Sequence, residues 1–109
     1  MKILSRIEEI FLIAIWRLGE NAYGITIREE VERATGTNWS LGATYAPLDR
    51  LRKNRYVTTL TSPPTNERGG RRKILYRLTP AGKAALAEAR KINERTWGDV
   101  PAFEFEKSR

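Results

Sequence analysis

Nine cations fall between Ser40 and Arg77: Arg50, Arg52, Lys53, Arg55, Arg68, Arg71, Arg72, Lys73 and Arg77. Only Asp49 and Glu67 oppose them in that stretch. The surplus of +7 equals the net charge of the whole 109-residue chain, so the remaining residues sum to zero. Positive charge gathered in one segment is the electrostatic footprint of a phosphate-backbone binder. The plainer alternative is a solvated basic surface. Other chemistries are poorly supplied. The chain has no histidine, the commonest general base and metal ligand. It has no cysteine, so it offers neither disulfides nor thiolates, which fits a reducing cytoplasm. No carboxylate cluster has metal-ligand spacing, and no cofactor is implied. An enzyme built on this chain would need two close carboxylates in a cleft.

The elements that must position these cations read as follows. A first helix is expected over about Ser5–Leu18, where Ile7, Ile10, Phe11, Ala14, Ile15 and Leu18 keep helical spacing and Leu12, Ile13 and Trp16 fill the other side. A helix apolar nearly all round is buried on more than one face. The second burying surface is either another subunit, which makes Phe11, Leu12, Ile15 and Trp16 interface candidates, or the rest of the same fold. A second helix is expected from Thr26, where Thr26-Ile27-Arg28-Glu29 has capping-box form, to a left-handed stop at Gly36. A third begins after Ser40 as N-cap. Leu41, Thr44, Leu48 and Leu51 form its inward stripe, and Gly42, Tyr45, Asp49 and Arg52 its outward one. Pro47 requires either a distorted start or a regular helix from Ala46 only; the distorted helix is the expectation.

Val57–Thr61 reads as a strand, 62–70 as a loop with Pro63-Pro64 and Gly69-Gly70, and Arg72–Leu78 as the return strand. In that return strand Ile74, Tyr76 and Leu78 should share an apolar face. Thr79-Pro80 starts a last helix that reaches about Trp97. Its seam of Gly82, Ala85, Ala89, Ile92 and Thr96 suits close helix packing, against either the first helix or a partner subunit. Residues 98–109 carry no strong pattern and are expected to be a mobile tail. No apolar run approaches the ~20 residues that span a bilayer, and no signal peptide is read: Ile10–Ile15 is short and follows Glu8 and Glu9.

Three helices, a two-stranded hairpin and a fourth helix make a mainly α winged helix-turn-helix order. Residues 1–78 would be the DNA-binding domain, followed by the last helix over 79–97. The third helix would enter the major groove and the hairpin would reach the flanking backbone. Small or hydrogen-bonding residues (Ser40, Gly42, Ala43, Tyr45) come first, where bases are approached. Cations follow (Arg50, Arg52, Lys53), and Arg68, Arg71, Arg72 and Lys73 crowd the wing.

At these residues the chain resembles the PadR-type transcriptional regulators, over roughly 10–86. Tyr23-Gly24 looks like the family's turn after the first helix. Ser40 to Leu51, SLGATYAPLDRL, resembles its recognition signature S-x-G-T-L-Y-P-x-L-x-R-L. Gly69-Gly70-Arg71-Arg72-Lys73 and Tyr76-Arg77-Leu78-Thr79-Pro80-Ala81-Gly82 resemble its wing and last-helix start. There are departures: Thr44 replaces an inward leucine, the proline falls one place late at Pro47, and Arg55 stands where a glycine is usual. The resemblance implies a homodimer joined largely by the last and first helices (with Ala85, Ala89, Ile92 and Thr96 at the interface). It implies a regulator, usually a repressor, of a pseudo-palindromic operator in double-stranded DNA. It also gives Tyr23 and Tyr45 DNA-facing roles. Arg50 is open to two roles, phosphate contact or an ion pair within the domain. The short C-terminus resembles a subgroup in which some members bind flat aromatic effectors at the dimer interface beside a last-helix tryptophan. Trp97 is the candidate here, with ordinary packing as the alternative. The competing function is a winged-helix module that binds an acidic protein partner.

Overall fold

A computed structural model describes residues 2–63 and 72–101. The first helix, α1 (Arg6–Leu18), starts because Ser5 and Glu8 cap each other. The Glu8 amide donates to Ser5 Oγ at 3.1 Å, and the Ser5 amide donates to Glu8 Oε1 at 2.8 Å. The remaining elements in chain order are α2 (Gly24–Thr35), α3 (Leu41–Lys53), strands β1 (Val57–Thr61) and β2 (Ile74–Leu78), and α4 (Pro80–Trp97). A 3-10 turn, Gly19–Asn21, joins α1 to α2. None of these helices is long and apolar enough to cross a membrane.

The core is organised by α1, which packs on α2, α3, α4 and β2. Phe11, Leu12, Ala14 and Ile15 are sealed against Ile27 and Val31 of α2, Leu48 and Leu51 of α3, and Val57 and Tyr76 of the hairpin. Burial of a side chain the size of Phe11 or Leu12 contributes about 1.5–3 kcal/mol, so α1 is where the apolar stabilisation concentrates. Three of the residues expected at a dimer interface are therefore reassigned. Phe11, Leu12 and Ile15 are at most 2% exposed within one protomer and have no area to offer a partner. The second burying surface is the chain's own α4 and hairpin. The apolar residues that α1 leaves outside are Ile13 and Trp16.

The second helix starts two residues earlier than Thr26. The Tyr76 amide donates to the Ala22 carbonyl at 2.8 Å, and Tyr23 bridges Leu75, which holds 22–23 extended against the hairpin. Helix α2 turns directly out of that bridge. Thr26 becomes its N3 residue, accepting from the Tyr23 amide at 3.0 Å, and the expected pairing with Glu29 is not used. Gly36, at φ 73°, ends the helix in the left-handed region as expected. Trp39 closes the turn into α3: its ring meets Phe11 edge-on at 5.4 Å, and its amide donates to Glu32 Oε2 at 2.8 Å.

Helix α3 is continuous from Leu41 despite Pro47. Pro47 is buried and supplies no amide to the Ala43 carbonyl. Thr44 is fully buried, and its hydroxyl is satisfied by the Ser40 carbonyl at 2.8 Å. A bond back to the preceding turn is how a threonine hydroxyl inside a helix is satisfied without a second partner. The inward face is Thr44, Pro47, Leu48 and Leu51; Leu41, expected there, lies at the helix entrance and is exposed.

The helix ends in a Schellman motif: the Tyr56 amide donates to Leu51 O and the Arg55 amide to Arg52 O, both at 3.0 Å. The motif's left-handed position is occupied by Arg55, at φ 64° the only non-glycine with positive φ among the described residues. A side chain in that region is disfavoured by about 1–2 kcal/mol. Glycine's greater freedom when unfolded offsets part of this. Arg55→Gly is expected to raise unfolding stability by about 0.5–1 kcal/mol, read as a higher midpoint in urea.

The hairpin pairs Val57 with Leu78 and Thr61 with Ile74 in antiparallel register. Its return strand begins at Ile74 rather than Arg72. Along its apolar face Tyr76, in mid-strand, is buried, Leu78 at the base is partly buried, and Ile74 projects past the core and is exposed. Thr79 then caps α4: its Oγ accepts from the Gly82 amide at 3.0 Å and donates to the Arg55 carbonyl at 2.7 Å.

Candidate nucleic-acid interface

Three elements meet at Tyr23 and Tyr45. Tyr45 projects from the outward side of α3, about half exposed, and its hydroxyl rests against the bare Cα of Gly24 at the start of α2. A side chain at position 24 would overlap that hydroxyl, so glycine lets Tyr45 lie flat over the helix entrance. Tyr23 precedes it, half-buried, with the Lys73 ammonium 4.4 Å from its ring centroid. That contact ties the wing to the α2 N-terminus, whose first amides lack intrahelical partners and form a positive helix end. Beneath lies Tyr76. Burial, and secondarily the neighbouring Tyr45, raises its phenol above the usual tyrosine range, so it stays neutral beneath Tyr45.

Ser40 caps α3, accepting from the Ala43 amide at 3.0 Å, and stays exposed with Gly42 and Ala43 beside Tyr45. A Cβ at Gly42 would meet nothing within 4 Å, so this end of α3 is open to close approach. Further along, Arg52 reaches Asp49 at 3.1 Å and Lys53 reaches it at 3.9 Å. All three side chains are at least half exposed, and pairs of that kind are worth about 0–1 kcal/mol, so both cations can exchange Asp49 for a phosphate. Arg72 and Lys73 are exposed at the described end of the wing. Arg68 and Arg71, expected at its tip, lie outside the described residues.

Arg50 differs from its neighbours. Its Nε lies 3.9 Å from Glu8 Oε2 of α1, a carboxylate only 9% exposed, so of its two open roles the geometry supplies a partner for the internal one. Glu8 was not singled out in the sequence, and Gly24 entered only as part of the family-like turn with Tyr23. Ser5-Arg6-Ile7-Glu8 is a legible capping box, and it would have marked the first of them.

Of the remaining interface candidates, Trp16 is well exposed and Thr96 exposed, Ala85 and Ile92 are half-buried, and Ala89 is nearly covered. Ala85, Ala89 and Ile92 line a shallow groove with Leu4 and Tyr56 of the same protomer. On the other side of α4, Ile13, Trp16, Leu78 and Leu86 line a 510 Å³ groove against α1 that also reaches Lys83 and Arg90. Trp97, at the end of α4, is exposed and lies outside both linings.

A third helix with an open N-terminal face and a cationic second half, and a basic wing tied to the helix-turn-helix, make this a winged-helix DNA-binding protein. The chain belongs to the transcriptional regulator PadR-like family, whose model matches residues 12–88. A PadR family transcription regulator of Clostridium difficile R20291 is 28% identical, with a TM-score of 0.63 over 85% of this chain and 92% of that one. RosR of H. salinarum shares the fold at 20% identity and a TM-score of 0.67, over 90% of this chain and 81% of its own. BpsR of Bordetella bronchiseptica, described as regulated in DNA binding by 6-hydroxynicotinic acid, matches at 20% identity and a TM-score of 0.62, over 90% of this chain and 68% of its own. No curated sequence matches significantly.

Proposed function

We propose that this DNA-binding regulator acts as a homodimeric repressor of a pseudo-palindromic operator. Each winged-helix unit, 1–78, would place α3 in a major groove, and α4, 79–97, would join the protomers. The observation that carries the reading is the single surface made by Ser40, Gly42, Ala43 and Tyr45 of α3, Tyr23 before α2, and Lys73 of the wing. Base edges are approached over Gly42, Ala43 and Tyr45, and Arg52, Lys53, Arg72 and Lys73 meet phosphates. The surface left for dimerisation is the exposed side of α4 with Ile13 and Trp16, where Ala85, Ile92 and Thr96 retain area. A small aromatic effector would enter beside α4, with Trp97 a candidate contact; among proteins that share the fold, DNA binding by BpsR is regulated by 6-hydroxynicotinic acid.

The test is binding of the full chain to its own upstream region by anisotropy across a salt series. The four phosphate-facing cations among the described residues give eight per dimer, so log K is expected to fall against log salt with a slope of about −7 or steeper. No binding at low salt, or affinity equal to that for random duplex, contradicts the reading.

A further inference from the structure

The N-terminal end of α4 is pinned to the DNA-reading body. Thr79 Oγ donates to the Arg55 carbonyl at 2.7 Å, the Thr79 amide donates to the Tyr56 carbonyl at 3.0 Å, and Gly82 sits directly on that same carbonyl. Beyond this pivot, α4 is held differently. Between Leu78 and Asn93 Ala89 is buried and Leu86 packs on the core, but Lys83, Ala87 and Arg90 beside them border the 510 Å³ groove, so the packing there is one-sided. Across the far end of that groove, Asn93 Nδ2 donates to Glu9 Oε2 at 2.9 Å. Glu9 is a firm anchor: it is 8% exposed, and its other oxygen takes Arg6 at 3.2 Å. The residue before it, Glu8, faces Arg50 of the reading helix. One turn of α1 therefore references both α3 and α4.

We propose that Asn93 and Glu9 are positioning residues: their hydrogen bond sets the angle between α4 and the reading body, and with it the half-site spacing a dimer accepts. This rests on the dimeric reading above. The geometry gives the scale. Gly82 and Asn93 are separated by about 16 Å of helix, so a ~3 Å relaxation at Asn93 is a tilt of ~10°. Half-sites one helical turn apart put each reading helix about 17 Å from the dyad, and the same tilt moves it by ~3 Å, close to one base-pair step. Losing the bond should blur spacing without touching a DNA contact.

The experiment uses the full chain and three duplexes that carry the selected half-sites at native spacing, one base pair shorter and one longer, plus a single half-site. Wild type is expected to prefer native spacing by about 30-fold, within the range by which a wrong base pair is rejected. Asn93→Ala and Glu9→Ala should reduce that ratio to ~3-fold or less, and the double variant should be no worse than either single, as coupled partners require. Glu9→Gln keeps an acceptor and should keep most of the preference. Single half-site affinity should stay within about twofold throughout, since the variants touch no DNA-facing residue. Variants that retain the wild-type ratio overturn the proposal, as does an equal loss on all four duplexes, which marks a merely structural role. A wild type that binds every spacing equally also overturns it. A wild type that binds no duplex overturns the dimeric operator reading, and this inference with it.

Discussion

Glutamate in place of Ala43 is expected to abolish specific DNA binding while leaving the fold as stable as before, or slightly more so. Ala43 is the third residue of α3, exposed, and its amide is bonded to Ser40 Oγ. A carboxylate there completes a Ser-x-x-Glu capping box and sits at the positive end of the helix, which favours the fold by about 0.3–1 kcal/mol. The same carboxylate stands beside Gly42 and Tyr45 on the side proposed to approach bases, with phosphates on either flank. Like-charge juxtaposition at an interface costs several kcal/mol, so affinity should fall by roughly 100-fold or more. Anisotropy with the selected operator and urea unfolding of the same sample read the two effects separately. Binding within about tenfold of wild type would remove α3 from the interface, because one bidentate base contact alone is worth that much.

Alanine at Gly82 is the opposite case, a change far from DNA that should damage the fold. The added methyl would overlap the Tyr56 carbonyl oxygen, a backbone atom that also accepts from the Thr79 amide. That oxygen cannot retreat without breaking the α4 cap and the Schellman turn after α3. Overpacking typically costs about 1–3 kcal/mol, and a fixed backbone neighbour puts this site at the upper end. Calorimetry should show a melting midpoint lower by roughly 10 °C or more for so small a domain. Gly42→Ala is the control: in the first turn of α3, with open space around it, the added methyl is tolerated and should stabilise by about 0.4–1 kcal/mol through the unfolded chain. If both alanines behave alike, the close contact between α4 and Tyr56 is not what demands glycine at position 82.

Much of this was legible because local signals agreed with tertiary ones. The caps at Ser40 and Thr79, the glycine stop at Gly36 and the hairpin's β-branched first strand each marked an element end that the structure keeps. The charge surplus and the SLGATYAPLDRL signature marked α3 as the candidate reading helix, and the family match spans both. What stayed hidden was long-range. The start of α2 is fixed jointly by the Tyr23–Leu75 bridge, between residues far apart in sequence, and by Thr26 accepting from the Tyr23 amide, and Thr26 alone reads equally well as an N-cap. Whether α1 was wrapped by its own chain or by a partner is not a property of helical periodicity, and Phe11, Leu12 and Ile15 were misplaced for that reason. Gly24 and Glu8 matter through Tyr45 and Arg50, partners brought near by the fold alone.

The central claim is that this surface reads DNA sequence as a symmetric pair. Selection of bound duplexes from random DNA by the full chain tests it most directly. The account predicts enrichment of an inverted repeat whose half-sites are centred about one helical turn, or a multiple of it, apart. Enrichment of no motif, or of one asymmetric site with no second half, would contradict it.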